Sequence, residues 1–344
     1  MHDLNYGNIL RGVLSRRDLS LQQAHWAFGQ IMDGGWNEAQ IAALLAGLAA
    51  KGESVDEITG AALAMREHVR RINAGNADVL DTCGTGGTGL STFNVSTAAA
   101  LVVAGAGMKV AKHGNRTATR ASGSADVLAA LGVNIDADDA LVEQCLARAN
   151  VCFCFAVRCH PAMKYAAPVR KALGVRTIFN LLGPLTNPAG ARRQLMGVFD
   201  AGKTEPIAHV LKALGARRAM VVHAEDGLDE ISTTAATQIS ELKDGHVATR
   251  RVQPEDFGLA RVSLDRLLVK SAADSAQVVR AILQGDTGPC RDIVLLNAAA
   301  ALVVSDRAAD IPAGLELAAR SVDSGAAAKA LETLVAISNG RDTP

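Results

Sequence analysis

Residues 81–107 read Asp81-Thr82-Cys83-Gly84-Thr85-Gly86-Gly87-Thr88-Gly89 and then LSTFNVSTAAALVVAGAG. The run Val79-Leu80-Asp81 reads as a strand ending at Asp81, and the Ala/Val-rich run from Ser96 to Gly107 as a helix, with four glycines between them. Glycine lets backbone N–H groups approach a ligand closely, and a helix N-terminus adds partial positive charge. Phosphate or pyrophosphate is therefore the natural occupant of this turn. Two nucleotide readings fail at their discriminating positions. Gly84, Gly86 and Gly89 match the dinucleotide spacing, but no acid follows until Asp126, well past the place where a ribose hydroxyl would need one. A Walker A loop needs Lys and Ser or Thr directly after its last glycine, and this chain has Leu90-Ser91.

The next apolar run, MKVAKH, predicts a second strand, and it leads into Gly114-Asn115-Arg116-Thr117-Ala118-Thr119-Arg120-Ala121-Ser122-Gly123-Ser124. Lys112, Arg116 and Arg120 bring cations; Thr117, Thr119, Ser122 and Ser124 bring donors. In a parallel sheet, loops after neighbouring strands gather at the carboxyl edge, so these two turns together predict a polyanion site larger than one phosphate.

The alternation continues outward. VCFCFAV, QLMGVFD and RRAMVVHA read as strands, with helices near 124–131, 162–174 and 204–214 between them. The last hundred residues read as more of the same, ending in Ala-rich helices around 292–304 and 324–338. Strand, helix and strand at this spacing imply parallel β-α-β units. The first seventy residues differ. Ser20, Asn37 and Ser54 each precede an apolar-periodic run and have Gln23, Gln40 and Glu57 three residues on, the signature of capping boxes. The expected fold is α/β, a small helical N-terminal domain plus a larger α/β domain with a mainly parallel central sheet. The boundaries are expected at 1–73, completed by helices from about 162–185, and 74–344.

The chain has 344 residues with 35 basic and 35 acidic side chains, and 3 % aromatics. Zero net charge argues against a nucleic-acid binder, which needs a basic excess, and few aromatics leave few platforms for stacking single strands. The longest apolar runs are near ten residues, short of the 18 or so of a membrane span. The N-terminus lacks a signal-peptide core. Cys83, Cys145, Cys152, Cys154, Cys159 and Cys290 read as reduced thiols of a cytoplasmic protein rather than a disulfide framework. Cys152 and Cys154 fit strand alternation better than zinc ligation.

CGTGGTGLSTFNVSTA, VAKHGNRTATRASGSADVLAALG, HPAMKYAAPVRKALGVRTIFNLLGPLTNPAG and EDGLDEIS, in that order, resemble the anthranilate phosphoribosyltransferases over nearly the whole chain. The resemblance implies transfer of a phosphoribosyl group from phosphoribosyl pyrophosphate to the amine of anthranilate in tryptophan biosynthesis. It also implies release of pyrophosphate, use of Mg²⁺, a homodimer formed through the helical domain, and closure of that domain over the site. Carried over by position, Gly84, Gly87, Thr88, Thr92, Asn94, Val95, Ser96 and Thr97 would hold the donor. So would Lys112, His113, Gly114, Asn115, Arg116, Thr117, Ala118, Thr119, Arg120 and Ser124. Ser96, Asp229 and Glu230 would ligate Mg²⁺, and Gly84, Asn115 and Arg170 would contact anthranilate. His113, Asn115 and Arg170 would be the catalytic residues, with His113 near the amine as a late proton acceptor.

One position departs from the pattern. The family's loop usually reads GTGGDG, and Thr88 replaces the acid that lies by pyrophosphate and metal, so an altered Mg²⁺ dependence is expected. The alternatives are a paralogue with another aromatic acceptor, a nucleoside phosphorylase (disfavoured by KHGNR in place of KHS), and a non-enzymatic nucleic-acid-binding homologue.

Overall fold

The computed structural model describes residues 4–117 and 122–341. Four helices come first: α1 (Tyr6–Leu14), α2 (Leu21–Met32), α3 (Glu38–Lys51) and α4 (Val55–Glu67). Ser20, Asn37 and Ser54 cap the last three in complete capping boxes, as their spacing predicts. Ile41, Leu44, Leu45 and Leu48 of α3 and Ile58, Ala62 and Met65 of α4 turn inward.

The α/β part begins with β1 (Val79–Gly84), α5 (Val95–Gly105), β2 (Lys109–Gly114), α6 (Ser124–Ala130), α7 (Asp139–Arg148) and β3 (Val151–Phe155). Short helices α8 (Ala156–Cys159), α9 (Ala167–Leu173) and α10 (Phe179–Leu182) follow, with a 3-10 turn over Pro161–Tyr165. Then come β4 (Arg193–Gly197), α11 (Thr204–Ala213), β5 (Arg218–Ala224), β6 (Thr237–Lys243) and β7 (His246–Val252). The chain closes with α12 (Ala272–Leu283), α13 (Pro289–Val304), α14 (Ile311–Asp323) and α15 (Ala326–Ser338).

The seven strands lie in the order β3-β2-β1-β4-β5-β6-β7, the first five parallel and the last two antiparallel. One core joins α5 and α13, apolar on nearly every side, to the sheet and to α14 and α15. A second core joins α1–α4 to Ala166, Val169 and residues 178–185, and continues onto the other face of the sheet through α11. Because the chain runs from β1 to β2 on one side and returns to β4 on the other, the connections diverge at β1. That is the switch point outside which α/β sheets bind ligands.

Several elements differ from the sequence expectation. β1 runs three residues past Asp81 because its pairing with β4 continues through Gly84↔Gly197. VCFCFAV is a strand only to Phe155; Ala156 turns into α8. The helix expected near 162–174 divides at Ala166 into the 3-10 turn and α9. Among the described residues, the last hundred positions hold no further β-α-β unit. An antiparallel hairpin, β6–β7, closes through Asp244 and Gly245 at φ 50 and 77, a two-residue turn with the hand of a twisted ribbon, and only helices follow.

Candidate active site

Two cavities open at the carboxyl edge of β1, β2 and β4. The larger, about 710 Å³, is bounded by the glycine turn, the start of α5, the turn after β2, residues 174–176 and Asp229-Glu230. Gly86, Gly87 and Gly89 all have φ between 64 and 77, a conformation that leaves glycine the residue of choice. The exit of this turn is fixed, since Phe93 N–H donates to Leu267 O at 3.0 Å and Val269 N–H to Ser91 O at 2.8 Å. Asn94, the N-cap of α5, makes no side-chain cap bond, and Asn94, Val95 and Ser96 line the cavity. The uncapped first turn thus presents its amides to the cavity as an anion site.

Beneath this turn lies a buried polar cluster. Lys112 Nζ donates to Thr82 O at 2.5 Å and to Ser96 Oγ at 3.1 Å. Asp81, fully buried, accepts from the His113 backbone N–H at 3.1 Å and from Asn187 Nδ2 at 2.8 Å. Burial pushes its carboxyl up to about 6, against the pull of Asn187 and Lys112. Burial likewise lowers Lys112, with Asp81 opposing. The cluster ties the ends of β1 and β2 and the Thr186-Asn187 turn into one support for both ligand loops.

Asp229 enters the crevice between β1 and β4. An ideal Cβ on Gly197 would lie 1.7 Å from Asp229 O, and one on Gly84 2.5 Å from Asp229 Oδ2. Only a glycine pair at this register admits the acidic loop, whose Asp229 Oδ2 accepts from Gly86 N–H at 2.9 Å. Asp229, Glu230 and the Ser96 hydroxyl line the same cavity. Among the described residues no three His, Cys, Asp or Glu side chains gather into a metal cage. Two carboxylates and a hydroxyl beside an anion pocket suit Mg²⁺, which keeps waters and draws further oxygens from substrate phosphates.

The second cavity, about 510 Å³, shares Cys83, Gly84, Thr85, His113, Gly114, Asn115, Arg170 and Asn180 with the first. Its own wall is more apolar, with Met65, Met163, Phe179 and Pro184. Arg170, on α9, lies 5.5 Å above the Phe179 ring, and burial lowers its pKa. Lys164 is the other cation of this wall, and among the described residues it includes no Asp or Glu.

Of the residues expected from sequence, Gly84, Gly87, Thr92, Asn94, Val95, Ser96, Lys112, His113, Gly114, Asn115, Arg116, Thr117 and Ser124 line the larger cavity. Arg170, Asp229 and Glu230 join them. Thr97 does not: it is buried beneath, with its hydroxyl bonded to Asn94 Oδ1. Thr88 is not in the lining either, and its Oγ1 accepts from Leu90 N–H at 3.3 Å. Ala118, Thr119 and Arg120 lie outside the described residues. Sequence reasoning missed Arg176, whose guanidinium donates to Gly87 O at 2.6 Å and stacks 4.5 Å from Phe199. It also missed Asn180, while Ser122, expected as one of the donors of the second turn, does line the cavity. The Ser122 hydroxyl is buried at the cavity, with no hydrogen-bond partner among the described residues. Arg176 lies in the link between α9 and α10 and Asn180 in α10, four residues on, a spacing visible in the sequence but without meaning until the cavities place it.

This arrangement has close relatives. A family model for the helical bundle domain of glycosyl transferases matches residues 8–69, and one for their α/β domain matches residues 76–328. The anthranilate phosphoribosyltransferase of Thioalkalivibrio sulfidiphilus is 52 % identical over 326 residues, 95 % of this chain and 96 % of that protein. The crystal structure of the same enzyme from Thermus thermophilus superposes with a TM-score of 0.92 at 38 % identity, over 96 % of this chain and 99 % of that one. The Saccharomyces cerevisiae enzyme in complex with PRPP and Mg gives 0.87 at 26 % identity, over 97 % and 98 %. A switch-point anion cavity, a paired acidic turn and an adjoining apolar cavity thus occur here in a chain that belongs to the anthranilate phosphoribosyltransferase family.

Proposed function

We propose that this protein transfers the 5-phosphoribosyl group of phosphoribosyl pyrophosphate to the amine of anthranilate, giving N-(5-phosphoribosyl)anthranilate and pyrophosphate. The observation that carries this reading is the common wall of the two cavities, one suited to a polyanion and the other to an apolar ring with a carboxylate. Gly84, Gly87, Thr92 and the first turn of α5, from Asn94 to Thr97, would hold the donor phosphates. Lys112 through Thr117 and Ser124 would hold them from the other side, with Arg176 and Ser122 added by position. Thr88 would act on the donor only through the turn it stabilises.

Ser96, Asp229 and Glu230 would hold Mg²⁺, the cofactor, which when bound offsets diphosphate charge. Arg170, half-sheltered by Phe179, would pair with the anthranilate carboxylate, while Asn115 and the Gly84 edge orient the ring. The C1–O bond to pyrophosphate breaks with its electron pair on the leaving oxygen as the C1–N bond forms. The fixed amides of the glycine turn and of the first turn of α5, with the cations that line the cavity, would stabilise that charge with little reorganisation, and the shared wall would bring amine and C1 together.

The division into a helical unit, 1–73 with about 162–185, and an α/β unit, 74–344, belongs to the same reading; the second core, uniting α1–α4 with residues 166–185, supports it. A homodimer through the helical unit is supported by Leu4 and Leu14 exposed beside α1. A cytoplasmic location is supported by six cysteines outside any disulfide. No described helix is long and apolar enough to cross a membrane.

The test follows anthranilate fluorescence with the donor and Mg²⁺ present, each omitted in turn. Consumption that needs all three components is the expected result. Phosphate-dependent release of a base from a nucleoside, without anthranilate consumption, would replace this reading with phosphorolysis.

A further inference from the structure

The back wall of the apolar cavity holds two histidines in contact. His113, in β2, and His160, just after α8, set their Nε2 atoms 3.1 Å apart, with ring centroids 5.0 Å apart and planes tilted by 55°. Both are buried. Two imidazole nitrogens at this distance hold one proton between them: one ring donates N–H and the other accepts with its lone pair. Burial draws His160 down to about 4. Burial, reinforced by His160, draws His113 to about 3, while the Gly183 backbone favours the proton on the His113 ring.

The charged and titratable neighbours leave the pair as it is. On β1 and β2, Asp81 accepts from the His113 backbone N–H rather than from its ring, Cys83 is held protonated by burial, and Lys112 opposes a second positive charge. From the segment after His160, Lys164 and Arg170 add two cations to the cavity, and among the described residues no carboxylate lines it.

We propose that His160 is a positioning residue whose Nε2–H occupies the Nε2 lone pair of His113, so that the acceptor cavity presents a neutral wall and no base. The proposal rests on the reaction given above and assigns the proton of that reaction. As C1–N forms and C1–O breaks, the nitrogen becomes an N-aryl ammonium, a strong acid. Its proton passes to a pyrophosphate oxygen and departs with it, and His113 stays neutral throughout. The acceptor class follows. An arylamine carrying a carboxylate arrives with its nitrogen lone pair available. An aliphatic β-amino acid arrives as an ammonium, meets two cations and finds no group to take its proton.

The test reads the rings directly. In the native protein, the His113 and His160 Cε1–H resonances, assigned through His113→Gln and His160→Gln, stay unshifted between about pH 5.5 and 8. His160→Ala opens the His113 lone pair to solvent, and His113 then titrates near its ordinary value of about 6.5. His160→Gln restores an N–H donor and abolishes that titration. In rates, kcat/KM for anthranilate in His160→Ala gains a limb of about threefold or more across the same range. The double variant with His113→Gln lacks it.

Native His113 titrating near the ordinary imidazole value, or a native rate limb that His113→Gln removes, would overturn the proposal. The native ring titrations need neither substrate nor the His160→Ala protein, so they stand even if that variant folds poorly. A native protein making no phosphoribosylated anthranilate would instead overturn the reaction reading.

Discussion

A methyl group placed on Gly84 would meet Asp229 Oδ2 at 2.5 Å and its Cγ at 3.2 Å, where ordinary contact begins near 3.4 Å. Asp229 cannot retreat as a unit, because its carbonyl already lies over Gly197, 1.7 Å from where a Cβ would be. In Gly84→Ala the carboxylate must therefore rotate and release the Gly86 N–H that it accepts at 2.9 Å. A hydrogen bond to a charged group is worth about 1.5–3 kcal/mol. At about 1.4 kcal/mol per tenfold, that is a loss of about 10- to 150-fold in donor affinity if the bond is what fixes the turn for phosphate. The assay is calorimetric titration of the donor with Mg²⁺, together with initial rates against donor at saturating anthranilate. A melting curve on the same sample shows that the variant is folded. A folded Gly84→Ala protein whose donor affinity stays within about twofold of native would refute the claim that the Asp229–Gly86 contact organises the turn.

Three further outcomes are expected. Glu57 is fully buried and accepts from the Leu19 and Ser54 N–H groups and from Lys51 Nζ at 2.8–2.9 Å. Lys51 keeps Asp18 and the Gly52 carbonyl in Glu57→Ala, but the two backbone N–H groups lose their acceptor. The cost is about 1–3 kcal/mol in urea unfolding, and a loss under about 0.5 kcal/mol would contradict it. Asp306 pairs with Arg193 and Arg218 at 2.7 Å, and their hydrogen bonds hold its carboxyl below the ordinary 3.8 against the effect of burial. A depressed carboxylate stabilises above its unfolded value and ceases to as pH falls through the folded one. The melting advantage of native protein over Asp306→Asn, small because Asp306 is more than half exposed, is expected to shrink below pH 3.8; a constant gap would refute it. Thr88→Asp is expected to change the Mg²⁺ dependence of the rate, and superimposable curves for the two proteins would remove any role for position 88 in metal use.

The capping residues Ser20, Asn37 and Ser54 were readable because a helix start is a local event, settled within four residues. The two ligand turns were readable for a similar reason: glycine and cation spacing constrains the backbone wherever the chain goes next. β1 was placed three residues short, since only its pairing with β4, more than a hundred residues away in the chain, carries it to Gly84. The β6–β7 hairpin carried a local signal, Asp244-Gly245 between two apolar-polar runs, that was absorbed into the expected alternation. Arg176, Asn180 and the contact between His113 and His160 were not legible, because each acquires meaning from a neighbour that only the tertiary fold supplies.

The outer strand of the hairpin has a bearing on solution behaviour. β7 turns His246, Thr249, Arg250 and Arg251 toward solvent, and Arg250 and Arg251 engage Glu241 and Glu225. A margin crowded with long cationic side chains is a poor template for an incoming strand. At this margin the molecule resists growing edge-on into aggregates.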